Sequence, residues 1–436
     1  MKSGSKSTSS DEENQLQFNN HDLSDSDILQ SLAQKLCVKI WPSANPDRTL
    51  IQNIGAGNYN EVLGITINGD GKSRTYRDTD LLKELIYPPI HIDEEVTKRA
   101  MNRFVLRIPR QSGSIAKSVA ILKHLGKNAD FKVPEIIHYD ITKNNPMQLK
   151  YILMSWVEGK PLSDILKANK LDQDQRRRLA IELPLFYKQI QGLNNNTPGE
   201  IFAGPIGNAG IDSISLQPIG TDPNKQDQSL VQRDNSKSTR PTNANMLVDA
   251  YTRKLKEANS NKESPLHSFI PQLETCLDIA VGLSKSGLLG DDSNFCLCHT
   301  DFFPRNIMLD TSKTPMITAI IDWDEPIFAP KFATCLPPVW LWQDLNRQKD
   351  EVEKFGTWSA ADSVEHREVK RVFDETMGSE YVRLAYSPQY AIARRLLKFA
   401  RDPTWQWRDW YIDQIDEIKQ EWEKILELLP TSKKQS

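Results

Sequence analysis

Polar residues dominate the chain up to about residue 22, and a regular alternation of apolar and polar positions begins just after. Ile28, Leu29, Leu32, Ala33 and Leu36 recur at helical spacing behind residues 24–27, which can supply an N-cap. An amphipathic helix is predicted there, packed on the sheet that follows. The run TLIQNIGAGNYNEVLGITI then places two apolar stretches on either side of a glycine-bearing turn, the signature of a β-hairpin. In RFVLRIPR, residues 103–110, Phe104, Leu106 and Ile108 fall on one face and Val105 and Arg107 on the other, and Pro109 ends the strand.

A helix is predicted next, because Ile115, Val119, Leu122 and Leu125 are spaced by three and four until Gly126. VPEIIHYD and LKYILMSWVEG supply two more strands, with Gly159 and Pro161 marking a boundary. Three strands, a helix and two strands make a small α+β lobe. Beyond it the pattern is mainly helical, over about 161–170, 172–193, 246–258, 265–288 and from about 360 onward. The last helix carries Ile412, Ile415, Ile418, Trp422, Ile425 and Leu429 on one face until Pro430 stops it.

The expected fold class is therefore α+β, with a small β-rich N-lobe over 23–158 and a larger helical C-lobe over 159–430. Polar tails at 1–22 and 431–436 flank them and are expected to be disordered. Two inserts exceed a minimal fold. Residues 68–100 are too many for a hairpin loop and should hold a small helix, while 218–245 has too few apolar residues to offset its ordering entropy and reads as a mobile surface loop.

Composition narrows the function. The 436 residues carry 55 basic and 58 acidic side chains, interspersed rather than sorted into stripes, and a formal net charge of -3, which argues against a nucleic-acid binder. No apolar run reaches the ~20 residues of a membrane span, and the first residues lack the apolar centre of a secretory signal, so a soluble, cytoplasmic protein is expected. The five cysteines are odd in number and scattered apart from Cys296 and Cys298. No second pair at ligand spacing accompanies these two, so reduced thiols are expected rather than a zinc site.

The chemistry concentrates in FCLCHTDFFPRNIMLD, residues 295–310, and PMITAIIDWDEP, residues 315–326. Each half is an apolar strand-like run ending in polar residues that a core would not want. His299 to Asn306 spells H-x-D-x-x-x-x-N, and the second run delivers Asp322 sixteen residues after Asn306. That order matches a phosphoryl-transfer loop followed by a metal-binding strand. Phosphoryl transfer asks mainly for position and charge compensation. Asp301 is placed to orient an acceptor hydroxyl and take its proton late, His299 to hold the loop by backbone hydrogen bonds, and Asn306 and Asp322 to give a hard Mg ion oxygen ligands.

Together with IGAGNYNEVLGI, FVLRIPR, VPEIIHYD, YILMSWVEGKPL and AIIDWDEPIFAPKFATCLPPVWLW, these motifs resemble the aminoglycoside phosphotransferase and choline kinase-like family of protein-kinase-like proteins. They span about residues 50–345, and the likeness is closest to the largely fungal group whose substrates are unassigned. The resemblance implies a bilobal kinase-like fold, with ATP and Mg held in a cleft under the small lobe and a small-molecule hydroxyl acceptor bound by the helical lobe. It also implies that Gly55 and Gly57 cover the phosphates, and that Met154, Ser155 and Trp156 form a hinge offering backbone hydrogen bonds to adenine. Two positions depart from the kinase pattern. Arg107 stands where most kinases place a lysine, and Ser118 where the pairing glutamate would be, so either nucleotide affinity is weak or Glu135 or another acid replaces that partner.

An aminoglycoside site wants acids and a choline site wants an aromatic box. Trp340, Trp342, Trp358, Trp405, Trp407 and Trp410 could supply rings, though tryptophans on amphipathic helices more often pack in cores. The expected activity is transfer of the ATP γ-phosphoryl group to a small-molecule hydroxyl, with a kinase-like binding or scaffold protein as the alternative. A protein kinase is disfavoured because neither D-F-G nor A-P-E occurs.

Overall fold

The computed structural model describes residues 26–42, 49–56, 60–67, 103–110, 114–207, 210–221, 241–290, 293–343, 361, 363–402 and 408–429. The tails, the insert 68–100, most of the insert 218–245 and Gly57 lie outside the described residues. The chain divides into two compact units, one of residues 1–115 and 136–156, the other of residues 116–135 and 157–436.

The smaller unit is built on one five-stranded antiparallel sheet. Helix α1 (Ser26–Ile40) leads into β1 (Thr49–Ala56), β2 (Asn60–Ile67) and β3 (Arg103–Pro109), and β4 (Ile136–Asp140) and β5 (Tyr151–Ser155) follow helix α2 (Ile115–Asn128). The strand order is β1-β2-β3-β5-β4. Alternation in β3 does what the sequence predicts: Phe104, Leu106 and Ile108 are buried while Arg103, Val105 and Arg107 are half-buried on the other face. Leu29, Leu32, Ala33 and Leu36 of α1 join Ile51, Leu63, Ile65, Phe104 and Leu153 in a single core, so the helix covers that face. Trp41 packs on Phe104 with ring centroids 4.6 Å apart. Each such side chain removed from water is worth about 1.5–3 kcal/mol.

The larger unit is mainly helical but also holds two small sheets. After β6 (Lys160–Pro161) come α3 (Leu162–Lys167), α4 (Gln173–Gly192), β7 (Asn194–Asn195), β8 (Gly199–Ala203), β9 (Ile214–Gln217), α5 (Asn243–Ser260) and α6 (Ile270–Lys285). Strands β10 (Phe295–Cys298), β11 (Ile307–Leu309), β12 (Ile317–Ile320) and β13 (Ile327–Pro330) follow, then α7 (Lys331–Thr334), α8 (Val364–Met377), α9 (Ser379–Tyr386), α10 (Pro388–Arg401) and α11 (Arg408–Leu428). The sheets are ordered β7-β10-β13-β8-β9 and β12-β11-β6. A capping box opens α4, in which Asp172 accepts from the Gln175 N–H at 2.8 Å and Gln175 accepts from the Asp172 N–H at 3.1 Å. Further along α4, the buried Glu182 accepts from the N–H groups of Met316 (2.8 Å) and Ile317 (3.2 Å) and so fixes where β12 begins.

The helix expected to belong wholly to the N-lobe behaves differently. From Ala116 onward it groups with the larger unit, because its first turn is bonded to residues 324 and 325. Strands β8 and β13 fall in stretches of the larger lobe for which the sequence predicts no element.

Candidate active site

Strand β10 reads Phe-Cys-Leu-Cys and is buried along its whole length, pinned by β13 on one side and β7 on the other. It delivers His299 to the start of the loop. His299 is itself buried, with its ring 4.4 Å from that of Trp323. The Asp301 N–H donates to its Nδ1 at 3.2 Å, so Nδ1 is the acceptor nitrogen and Nε2–H donates to the Ile321 carbonyl at 3.0 Å. Burial holds the imidazole below its ordinary pKa, outweighing the opposing pull of the Ile321 carbonyl and of Asp301 and Asp322. A neutral, doubly bonded ring of this kind is a brace between the loop and the strand that follows it.

The loop closes in a single 3₁₀ turn, Pro304–Asn306, whose proline suits the first helical position. Asn306 is buried, and its Nδ2 donates to the Asp301 carbonyl (2.8 Å) and to Asp301 Oδ2 (2.7 Å). Two acceptors on that side fix the amide with its nitrogen toward Asp301, which turns Oδ1 the other way. β11 and β12 then pair as a hairpin with Ile307 opposite Ile320, and the Asn306 carbonyl extends the ladder by accepting from the Ile321 N–H at 2.9 Å. This register is what brings Asp322 beside Asn306.

Asp322 is exposed and sits at φ +64°, a left-handed conformation that aspartate and asparagine tolerate better than most residues. Such strain persists only where the surroundings impose it. Here they do so on both sides. Trp323 is buried, donates from Nε1 to the Ile320 carbonyl at 3.1 Å and stacks on Phe131 at 5.5 Å. Asp324 accepts from the Ser118 hydroxyl at 3.2 Å, and Glu325 pairs with Lys117 at 2.7 Å. The Glu325 carbonyl accepts from Thr300 Oγ1 at 2.8 Å and from Arg401 Nη2 at 3.0 Å.

Three side chains expected at the site, Asp301, Asn306 and Asp322, are thus brought together, with His299 bracing the loop. Residues that the sequence reading missed complete it. Arg305 pairs with Asp301 through Nη2 and Oδ1, and its position in the same motif was a signal that could have revealed it. Lys117, Thr300 and Arg401 are missed for another reason: nothing local ties them to their partners. Ser118, aligned with a kinase glutamate, instead serves Asp324 from the first turn of α2.

The residues expected to hold the nucleotide lie in the smaller unit. Gly55 is exposed, a Cβ there would meet nothing within 4 Å, and its N–H donates to Asn53 Oδ1 at 3.0 Å, so nothing inside this unit demands glycine. Gly57 falls outside the described residues. Arg107 lies on the sheet face opposite α1, with Val62 and Ile152 as cross-strand neighbours. Met154 is a central-strand residue opposite Val105 and Ile136. At Trp156 strand pairing already uses the backbone donor. Its N–H donates to the Arg103 carbonyl at 3.2 Å, extending the β3–β5 ladder, and is therefore committed. Its ring is covered by the Arg103 guanidinium at 4.0 Å and lies against Gly64, where a Cβ would stand 3.4 Å from it.

The five cysteines are free and buried, burial pushes the Cys296 and Cys298 thiols up to about 12, and no group of three or more His, Cys, Asp or Glu side chains placed to hold a metal occurs among the described residues. Among those residues no helix is long and apolar enough to cross a membrane. Trp340 and Trp342 belong to the core, whereas Trp358, Trp405 and Trp407 lie outside the described residues.

The chain is similar to several solved structures at low identity. One is a ternary complex of a thermostable aminoglycoside phosphotransferase APH(4)-Ia mutant with ADP and hygromycin B, with 13% identity, 90% of this chain and 97% of that chain covered and a TM-score of 0.45. Another is a GDP and kanamycin complex of an APH(2") enzyme, with 15% identity, 90% and 99% covered and a TM-score of 0.43. Choline kinase from Cryptosporidium parvum is similar at 12% identity, with 91% and 94% covered and a TM-score of 0.40. No curated protein matches the chain. The sequence profile of the APH phosphotransferase enzyme family matches residues 95–325, just over half of the chain and the stretch that carries Asp301, Asn306 and Asp322, and the chain belongs to that family.

Proposed function

We propose that this phosphotransferase moves the γ-phosphoryl group of ATP to a hydroxyl of a small molecule, with Asp301 as the base. The observation that carries this reading is the convergence of Asp301, Asn306 and Asp322 in one hydrogen-bonded loop and hairpin. Asp301 keeps one third of its side chain exposed (34%), as a group that must meet an acceptor requires. Asn306 fixes its carboxylate through Oδ2, so the orientation of the base is set before substrate arrives. Asp301 then orients the acceptor oxygen and receives its proton as the bond to phosphorus forms.

The donor set suits Mg. The Asn306 Oδ1 and the exposed Asp322 carboxylate are hard oxygen ligands, the kind that Mg prefers, and neither nitrogen nor sulfur intervenes. When bound, such an ion offsets the negative charge of the phosphates. For the nucleotide, the face of the smaller sheet that carries Val62, Val105, Met154 and Arg107 offers apolar surface beside a fixed positive charge. The expected site residues Gly55 and Gly57 remain part of this proposal as the backbone that approaches the phosphates. Substitution Asp301→Asn should lower transfer by roughly 10²–10⁴-fold while leaving nucleotide binding intact, measured as ADP release beside ATP affinity. Equal turnover in the variant would remove Asp301 from the base role. A protein that binds ATP and transfers nothing would fit the scaffold reading.

A further inference from the structure

Resting on the phosphotransferase reading, we propose that the acceptor carries negative charge next to the hydroxyl it presents, and that Arg305 selects it. Arg305 stands one turn after Asp301, pairs with Asp301 Oδ1 and keeps 50% of its side chain exposed. Its guanidinium lies 4.9 Å from the centre of the Phe303 ring, which holds it over the loop. An acceptor oxygen served by Asp301 must come within about 2.6–3.2 Å of that carboxylate. The atoms flanking this hydroxyl therefore fall within a few ångströms of the guanidinium, inside the screening length of about 8 Å at physiological salt. A carboxylate or phosphate placed there meets planar N–H donors, whereas an ammonium group meets like charge.

The surroundings point the same way. A cationic acceptor needs carboxylates to receive it, yet Asp301 is paired with Arg305, Glu325 with Lys117, Asp324 accepts from the Ser118 hydroxyl, and Asp322 is the carboxylate assigned to the metal. Nor do the described tryptophans form a box. Trp340 and Trp342 are in the core, and the Trp410 ring already has the Lys398 ammonium 5.5 Å away. In the transfer, the acceptor oxygen forms a bond to the γ-phosphorus as the bond to the β–γ bridging oxygen breaks. The hydroxyl proton goes to Asp301, and the nucleoside diphosphate leaves with the bridging oxygen.

The experiment uses three six-carbon polyhydroxy compounds, gluconate (anionic), glucitol (neutral) and glucosamine (cationic), with the full chain and its Arg305→Gln variant. ADP release with Mg-ATP gives kcat/KM for each. In the unsubstituted protein gluconate should exceed glucosamine by about tenfold or more, with glucitol between, and in Arg305→Gln the spread should shrink to about threefold or less. If gluconate supports no more ADP release than glucosamine, or if its advantage survives in Arg305→Gln, the proposal falls. Should Mg-ATP neither stabilise the protein nor be turned over at all, the phosphotransferase reading itself fails, which keeps the two failures apart.

Discussion

Replacing Arg401 by alanine should destabilise the larger unit more than any single apolar truncation on its surface. Arg401 is the last residue of α10, 18% of its side chain is exposed, and it grips the 7%-exposed Glu200 through two bonds of 2.9 and 3.2 Å. Glu200 lies on β8, paired with β13, and a third bond from Arg401 reaches the Glu325 carbonyl, three residues beyond Asp322. Burial works against the guanidinium, but Glu200 and Glu325 more than offset it and hold its pKa above the ordinary value. Truncation strands the Glu200 carboxylate in a buried site, and breaking one half of such a pair costs about 3–5 kcal/mol. For a unit of this size that corresponds to roughly 6–20 °C in Tm. Circular dichroism during heating and urea titration measures both. Pairing Glu200→Leu with Arg401→Met removes both charges together and should restore at least half of the loss, because a buried ion pair is worth little over an apolar pair of similar volume. A single-variant loss below about 1 kcal/mol, or a double variant no more stable than Arg401→Ala, would refute the reasoning.

Two other outcomes follow from the geometry. Gly159 has φ +110°, and a Cβ would sit 2.7 Å from the Leu309 carbonyl oxygen, so Gly159→Ala should cost on the order of 2 kcal/mol or more in urea unfolding, and a neutral result would mean that β6 is not held as described. Burial pushes His138 down to about 4, against a pull from Asp140, while Tyr151 OH and His138 Nδ1 share a hydrogen bond of 2.8 Å. Because the folded pKa lies below the unfolded one, the stabilisation is complete above about pH 6.5 and is lost as pH falls toward 4, by about 2 kcal/mol at pH 5. In His138→Gln that part of the slope should vanish, and identical pH dependence in both proteins would contradict the assignment.

What could be read from the chain is what local pattern encodes. Phe104, Leu106 and Ile108 alternate because one face of β3 is covered, and Ile415, Ile418 and Trp422 repeat at helical spacing because α11 buries one stripe. Asp301, Asn306 and Asp322 sit in two short segments joined by a hairpin, so their order along the chain already carried the site. Strands β8 and β13 were hidden, since four or five residues buried on both faces show no alternation. Longer-range pairings were hidden too: Arg401 and Glu200 are 201 positions apart, and Ser118 and Asp324 are 206 apart, so no local rule connects them. The commitment of the Trp156 N–H was hidden for a related reason, because strand pairing with Arg103 decides which backbone donors are left.

The same long-range bonds explain why α2 belongs with the larger unit. Lys117 and Ser118 tie its first turn to Glu325 and Asp324, so the helix and the segment after β12 are one hydrogen-bonded body. A kinase that relies on a lysine–glutamate pair to place this helix would use a different tether.

Thermal unfolding with and without Mg-ATP, in the native protein and in Asp322→Asn, shows whether Asp322 and its neighbours hold a metal–nucleotide complex. Asparagine keeps the left-handed φ of +64° accessible, so the variant should fold, yet it lacks the carboxylate charge. Nucleotide at about a hundred times its dissociation constant adds about 2.7 kcal/mol, a shift of several degrees. That shift is expected in the native protein, with little or none in the variant. Equal shifts in both proteins, or none in either at millimolar Mg-ATP, would contradict it.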